Sequence, residues 1–85
     1  MHPNPFRAAT QLSIHLPESG MAGLRVFDLA GREVAQPWQG WLTSGTHEMP
    51  WNGTASNGKP LAAGIYLVRL ETPSGVRALK MTRLP

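Results

Sequence analysis

Apolar and polar residues alternate along much of this chain with a period of two. In residues 10–16, the apolar side chains Leu12, Ile14 and Leu16 alternate with polar neighbours. Successive side chains of a β-strand point to opposite faces, so this pattern places one row in a core and the other in water. No window repeats apolar residues at helical spacing for long enough to form a helix. The chain is therefore predicted to be built from strands.

Turn residues separate the first strands. A second strand is predicted over residues 21–29, and the chain must reverse around Asp28 and Gly31. Gly31 can take the left-handed conformation that ends a type I turn with a bulge, and the Asp28 carboxylate can accept backbone N–H groups there. The returning strand starts at Glu33, and Pro37 is expected to interrupt it and to place it at a sheet edge.

The second half of the chain repeats this organisation. The dipeptides Asn-Gly at 52–53 and 57–58 predict turns with a loop between them, because both residue types tolerate positive φ. Strands are predicted over 46–51, 65–71 and 76–84. Six or seven short strands with regular turn signals are typical of an all-β sandwich of two antiparallel sheets. Residues 1–9 are expected to form an extended lead-in, and residues 10–85 a single domain.

Composition narrows the function classes. The chain has 85 residues, no cysteine, eight Lys and Arg against five Asp and Glu, and a formal net charge of +3. The arginines are spread singly, without an interleaved aromatic stripe, so a solvated surface is favoured and no nucleic-acid partner is expected. No apolar stretch approaches the roughly 20 residues of a membrane-spanning helix, and the first residues do not resemble a signal peptide. An export signal would have to lie on a longer precursor.

No constellation of residues predicts an active site. His2, His15 and His47 have no local ligand spacing, so no metal and no cofactor are expected. The serines lack a nucleophile elbow, and the glutamates are dispersed near strand ends rather than paired. We therefore do not expect an enzyme.

Two tryptophans stand out as candidate ligand-binding residues. Trp38 and Trp41 flank a Gln-Gly pair in a segment expected at an edge or in a loop. Exposed aromatic rings can stack on sugar rings, whereas a large buried ring can close the open end of a small core. Both interpretations remain open for this pair. Trp51 aligns by alternation with Met49 and His47 and is predicted to lie in the core.

The order of the motifs along the chain resembles one family over nearly its whole length. The motifs are HPNPF at 2–6, LRVFDLAGREV at 24–34, GTH at 45–47, WNG at 51–53, NG at 57–58, AGIY at 63–66 and LKM at 79–81. This set is similar to the type A C-terminal sorting domain carried by cargo of the type IX secretion system. It is also similar to the immunoglobulin-like domain of the flagellar hook-capping protein. Both resemblances imply an immunoglobulin-like antiparallel sandwich of about seven strands.

The first resemblance implies a set of residues read by secretion machinery of the outer membrane. They are Pro3, Asn4, Pro5, Gly64, Tyr66, Lys80, Met81 and Arg83. Arg83 stands where such domains carry lysine. The domain would follow an N-terminal cargo domain, be monomeric, and direct a bacterial protein through the periplasm and outer membrane to the cell surface.

A second hypothesis is a non-catalytic structural or carbohydrate-binding accessory module, similar to the hook-cap domain, within a larger extracellular protein. It is motivated by the basic surface and by Trp38 and Trp41. Periodicity alone does not choose between the two hypotheses. It also leaves the strand neighbours open, because alternation assigns faces and not pairing.

Overall fold

Six antiparallel strands make up the chain that the computed structural model describes, residues 10–85. They are β1 (Thr10–Leu16), β2 (Gly20–Phe27), β3 (Glu33–Leu42), β4 (Gly45–Trp51), β5 (Gly64–Thr72) and β6 (Gly75–Arg83). No helix occurs within this range. The expected lead-in over residues 1–9 lies outside the described residues.

The strands form two sheets of unequal size. β1 and β4 make a two-stranded sheet, hereafter the small sheet, and the order β3-β2-β5-β6 makes a four-stranded sheet, the large sheet. All pairings are antiparallel. The all-β class and the immunoglobulin-like sandwich are thereby confirmed.

The alternation predicted from the sequence defines the core. On β2 and β5, Leu24 lies opposite Leu70 and Val26 opposite Val68, all of them buried. The small sheet contributes Leu12, Ile14 and Trp51 to the same cluster. Fully burying an aliphatic side chain contributes about 1.5–3 kcal/mol relative to leaving it exposed, so these residues supply much of the driving force for folding.

The prediction that Pro37 divides the third strand is wrong. β3 runs from Glu33 to Leu42 without a break, at the edge of the large sheet. Leu24 pairs with Trp38 and Val26 with Ala35, so two residues of β3, Gln36 and Pro37, lie opposite the single residue Arg25. Such a bulge accommodates the missing N–H of proline, and the edge position needs no second partner there.

The long loop between β4 and β5 is held by local polar contacts. The Asn52 side-chain oxygen accepts from the N–H of Thr54 at 3.2 Å, and that of Asn57 accepts from the N–H of Lys59 at 3.0 Å. Leu61 is buried and closes the loop against the core. The predicted pair of Asn-Gly turns with a loop between them is confirmed.

Asp28 organises the turn between β2 and β3 as expected. Its Oδ1 accepts from the N–H of Ala30 at 3.0 Å and of Arg32 at 2.9 Å, and its Oδ2 pairs with Arg32 Nε at 3.0 Å. Gly31 has φ +86°, the left-handed conformation that favours glycine. The bond from the Arg32 backbone, aided by the Arg32 side chain and the Ala30 N–H, lowers the pKa of Asp28 below its ordinary value of 3.8.

We predict a pH-dependent stability loss for Asp28→Asn. A depressed folded-state pKa stabilises the fold above the ordinary carboxyl value, and this contribution disappears as the pH falls through the folded-state pKa. The amide keeps an acceptor oxygen but loses the charge. Thermal unfolding followed by circular dichroism should show a lower Tm for the variant at pH 7 and a gap that narrows below about pH 4.

Glu48→Gln is the matched control, because Glu48 is an exposed carboxylate on β4. It should show a smaller gap at pH 7 than Asp28→Asn. A Tm difference for Asp28→Asn that stays constant from pH 7 to pH 3 would contradict the assigned role of the carboxylate charge.

Candidate functional site

The outer face of the large sheet carries a network of charged side chains. Arg25 lies directly opposite Arg69 across the β2–β5 pair, an arrangement of like charges that is unfavourable on its own. Glu71 resolves it by contacting both arginines: its Oε1 is 3.1 Å from Arg25 Nε, and its Oε2 is 3.0 Å from Arg69 Nη2. One carboxylate thus bridges two opposed cations.

Two further contacts hold the arginines in place. Arg25 Nη1 lies 3.5 Å from Glu33 Oε1, and the Arg69 guanidinium lies 4.6 Å from the centre of the Phe27 ring. The ion-paired side chains Arg25, Arg69 and Glu71 are about one-third exposed, so each pair contributes only about 0–1 kcal/mol. These contacts place both guanidinium groups on the outer face of the sheet.

A shallow groove crosses this face at Gly23, which has no side chain to cover the sheet. Its volume is about 310 Å³, and it is lined by Met21, Ala22, Gly23, Arg25, Gln36, Gln39, Glu71, Thr72 and Pro73. Gln36 Nε2 donates to Gln39 Oε1 at 2.7 Å, which orients both amides at one side of the groove. Gly23 pairs with Gln39 on one side and with Glu71 on the other, so polar groups flank its floor.

Trp41 extends the face beside this groove. It lies directly opposite Met21 in the β2–β3 register, and the two side chains are 63% and 55% exposed. Residues directly opposite on antiparallel strands project from the same face, so the indole adjoins the Met21 wall.

Trp38 points the other way. It pairs with the fully buried Leu24 and packs against the core, where it closes one side of the sandwich. The two tryptophans therefore do not form a single stacking platform. One serves the core and one faces solvent, while Trp51 is buried in the core as predicted.

Gly64 and Tyr66 occupy structural positions at the start of β5. Gly64 has φ +152° with no atom near its missing side chain, so the backbone conformation rather than space favours glycine there. The Tyr66 ring is buried, and its hydroxyl donates to the Ala62 carbonyl at 2.6 Å. A tyrosine that bonds back to upstream backbone in this way is a feature of immunoglobulin-like sandwiches.

The final predicted recognition residues are divided between the two faces of β6. Lys80 is exposed on the outer face opposite Leu67, whereas Met81 is fully buried opposite Tyr66. Arg83 is half-buried, and its Nη1 donates to the Leu84 carbonyl at 2.8 Å. Met81 acts in this structure as a core residue. Pro3, Asn4 and Pro5 lie outside the described residues.

The potential metal ligands of the described part of the chain are dispersed. No group of three or more His, Cys, Asp or Glu in residues 10–85 is arranged to hold a metal ion. His47 contacts the Thr43 carbonyl through Nε2 at 2.7 Å, and His15 Nδ1 lies 3.3 Å from Thr46 Oγ1. A helix able to cross a membrane is likewise absent from residues 10–85.

The two-sheet topology, the tyrosine contact and the shared core define an immunoglobulin-like β-sandwich module. A scan against family models matches the FlgD Ig-like domain over residues 5–75, most of the chain. The chain belongs to this family. Searches among curated proteins and among solved structures gave no match.

Sequence reasoning did not find the groove. Gln36 and Gln39 lie close together in sequence, but Glu71 is far from both, and none of the three belongs to a recognisable motif. Only the β2–β3 and β2–β5 registers bring them around Gly23. The available signal was a glycine within a predicted strand, which often marks a close approach or an open space on a sheet.

We predict that Glu71→Gln destabilises the domain through repulsion between Arg25 and Arg69. The expected loss is about 1 kcal/mol at low ionic strength, because the pair is partly exposed. Urea unfolding should show this loss shrinking in 1 M NaCl, where the screening length falls to about 3 Å. Glu48→Gln serves as the control. A deficit that does not change with salt would argue against the bridging role.

Proposed function

We propose that this domain is a non-catalytic accessory module of a larger extracellular protein. The observation that carries this proposal is the match to the FlgD Ig-like domain family over residues 5–75, together with the sandwich fold. No group of three or more His, Cys, Asp or Glu in residues 10–85 is arranged to hold a metal ion, and Arg25 and Arg69 are paired with Glu71. A module of this kind acts through its surface.

The whole protein provides the test. Tagged full-length protein in its native cell should be digested by protease added outside intact cells or should appear in the medium. A version without residues 10–85 should keep the activity of its companion domain per folded molecule. Glu71→Gln in the full-length protein is the control, because it changes the module only mildly; its location and the activity of its companion domain should match those of the parent.

Confinement of the full-length protein to the cytoplasm would contradict the extracellular assignment. Loss of the companion domain's activity per folded molecule on deletion would contradict the accessory role, because the module would then belong to the active site.

A second candidate is a sorting domain for type IX secretion, with secretion machinery of the outer membrane as its partner. The observation that favours it is the position of Lys80 on β6. Its side chain is exposed, and its neighbour Met81 is buried and anchors the strand to the core. A strand anchored from within can present a cation in a fixed place. The carboxyl-terminal motif would then be read through Lys80 and Arg83.

A reporter exported to the periplasm and followed by residues 1–85 should reach the surface of a type IX-competent cell. The double change Lys80→Ala, Arg83→Ala should leave the reporter in the periplasm, because both cations of the motif are removed. Arg77→Ala, at an exposed position on the same strand, is the matched control and should be exported normally. Retention of all three reporters, or export of all three, would exclude the sorting role of this motif.

A further inference from the structure

We propose that the groove around Gly23, with Trp41 beside it, is a binding site for a neutral polysaccharide. This inference rests on the proposed function, since it names the ligand class of the accessory module. It differs from the hypothesis that Trp38 and Trp41 stack together on a ligand, because Trp38 packs against the core on the other face of the sheet.

The shape of the groove suits a sugar ring. Its volume of about 310 Å³ lies at the low end of the range of about 300–1,000 Å³ for small-ligand sites, and the sheet surface leaves it shallow. Gly23 forms the floor without a side chain, so a ligand can approach the backbone of β2. A shallow groove on an open sheet face accommodates one or two units of a chain whose ends continue past it.

The polar lining suits hydroxyl groups. The Gln36 and Gln39 amides combine donors and acceptors, the Arg25 guanidinium supplies donors and the Glu71 carboxylate supplies acceptors. All four end groups are planar, so each can contact two neighbouring hydroxyls of a sugar. The bond from Gln36 to Gln39 and the pair between Arg25 and Glu71 orient these groups before any ligand arrives.

The apolar component comes from Trp41 and Met21. The indole is 63% exposed, although burial of a tryptophan ring is strongly favourable. Its flat face can cover the C–H side of a sugar ring while the amides contact the hydroxyls. The thioether of Met21 lines the groove between the indole and Gly23.

The charge balance favours a neutral ligand over an acidic one. Arg25 is already paired with Glu71 at 3.1 Å and with Glu33 at 3.5 Å. An anionic sugar would have to displace a carboxylate that is held by two arginines, or approach it against charge repulsion. The groove therefore offers hydrogen bonds without a net positive site.

The test is a titration of residues 1–85 with soluble mixed-linkage β-glucan, arabinoxylan and galactomannan, and with polygalacturonate as the acidic probe. Affinity electrophoresis detects binding, and calorimetry measures Kd. At least one neutral polysaccharide should bind. Trp41→Ala should weaken that binding about tenfold or more through loss of stacking.

Gly23→Val tests the groove without removing any polar group. A Cβ at Gly23 would first meet Glu71 Oε1 at 3.7 Å, an ordinary contact, and a β-branched residue suits a strand. The variant should fold, as circular dichroism will show, while its methyl groups fill the floor and abolish binding. Gln39→Ala gives a second variant at the groove wall and should weaken binding.

Ile65→Ala is the matched control, because Ile65 is an exposed apolar residue at the opposite end of the same face. It should bind as the parent does. The proposal would be overturned if none of the neutral probes bound, if polygalacturonate alone bound, or if Trp41→Ala and Gly23→Val bound as tightly as the parent does. These outcomes leave the accessory role intact, since that role is judged by the location of the full-length protein and the activity of its companion domain.

Discussion

The pairing of β2 with β5 is the interaction on which the rest of the structure depends. Leu24 and Val26 enter the core only because they face Leu70 and Val68 in this register. A slip of one residue on either strand would turn those side chains to water and carry an arginine into the core. The apolar burial on one face therefore fixes which charges meet on the other.

The outer face solves a problem that this register creates. It brings Arg25 and Arg69 together, and Glu71 offsets their repulsion by contacting both. The same register places the Glu71 carboxylate beside Gly23, where no side chain covers the outer face of the sheet. The groove is thus a consequence of two constraints, namely a core that determines the register and a charge network that determines which side chains surround Gly23.

Periodicity was sufficient for the strands and their faces, because burial of alternate residues is a local signal along each strand. The pattern of residues 10–16 predicted β1 with its bounds, and Asp28 and Gly31 predicted their turn. At Pro37 the edge position was predicted correctly, but the continuity of β3 was not, because it depends on a bulge opposite Arg25. That bulge is a property of the assembled sheet. The gathering of Gln39 with Glu71 escaped because it depends on which strands are neighbours. The separation of Trp38 from Trp41 follows from alternation along one continuous strand, and the expected interruption of that strand at Pro37 concealed it.

The burial of Met81 limits how the last strand can be recognised. Its side chain packs in the core opposite Tyr66, so a partner that meets the folded domain contacts its neighbours instead. A motif that contains Met81 can then reflect two separate requirements, an apolar anchor for β6 and a cation presented by Lys80 on the outer face. Gly64 and Tyr66 belong with the anchor, since a backbone conformation and a hydrogen bond to Ala62 account for both. The contacts of these three residues within the sandwich account for their residue types, whereas Lys80 lies on the outer face, where a partner of the folded domain can reach it.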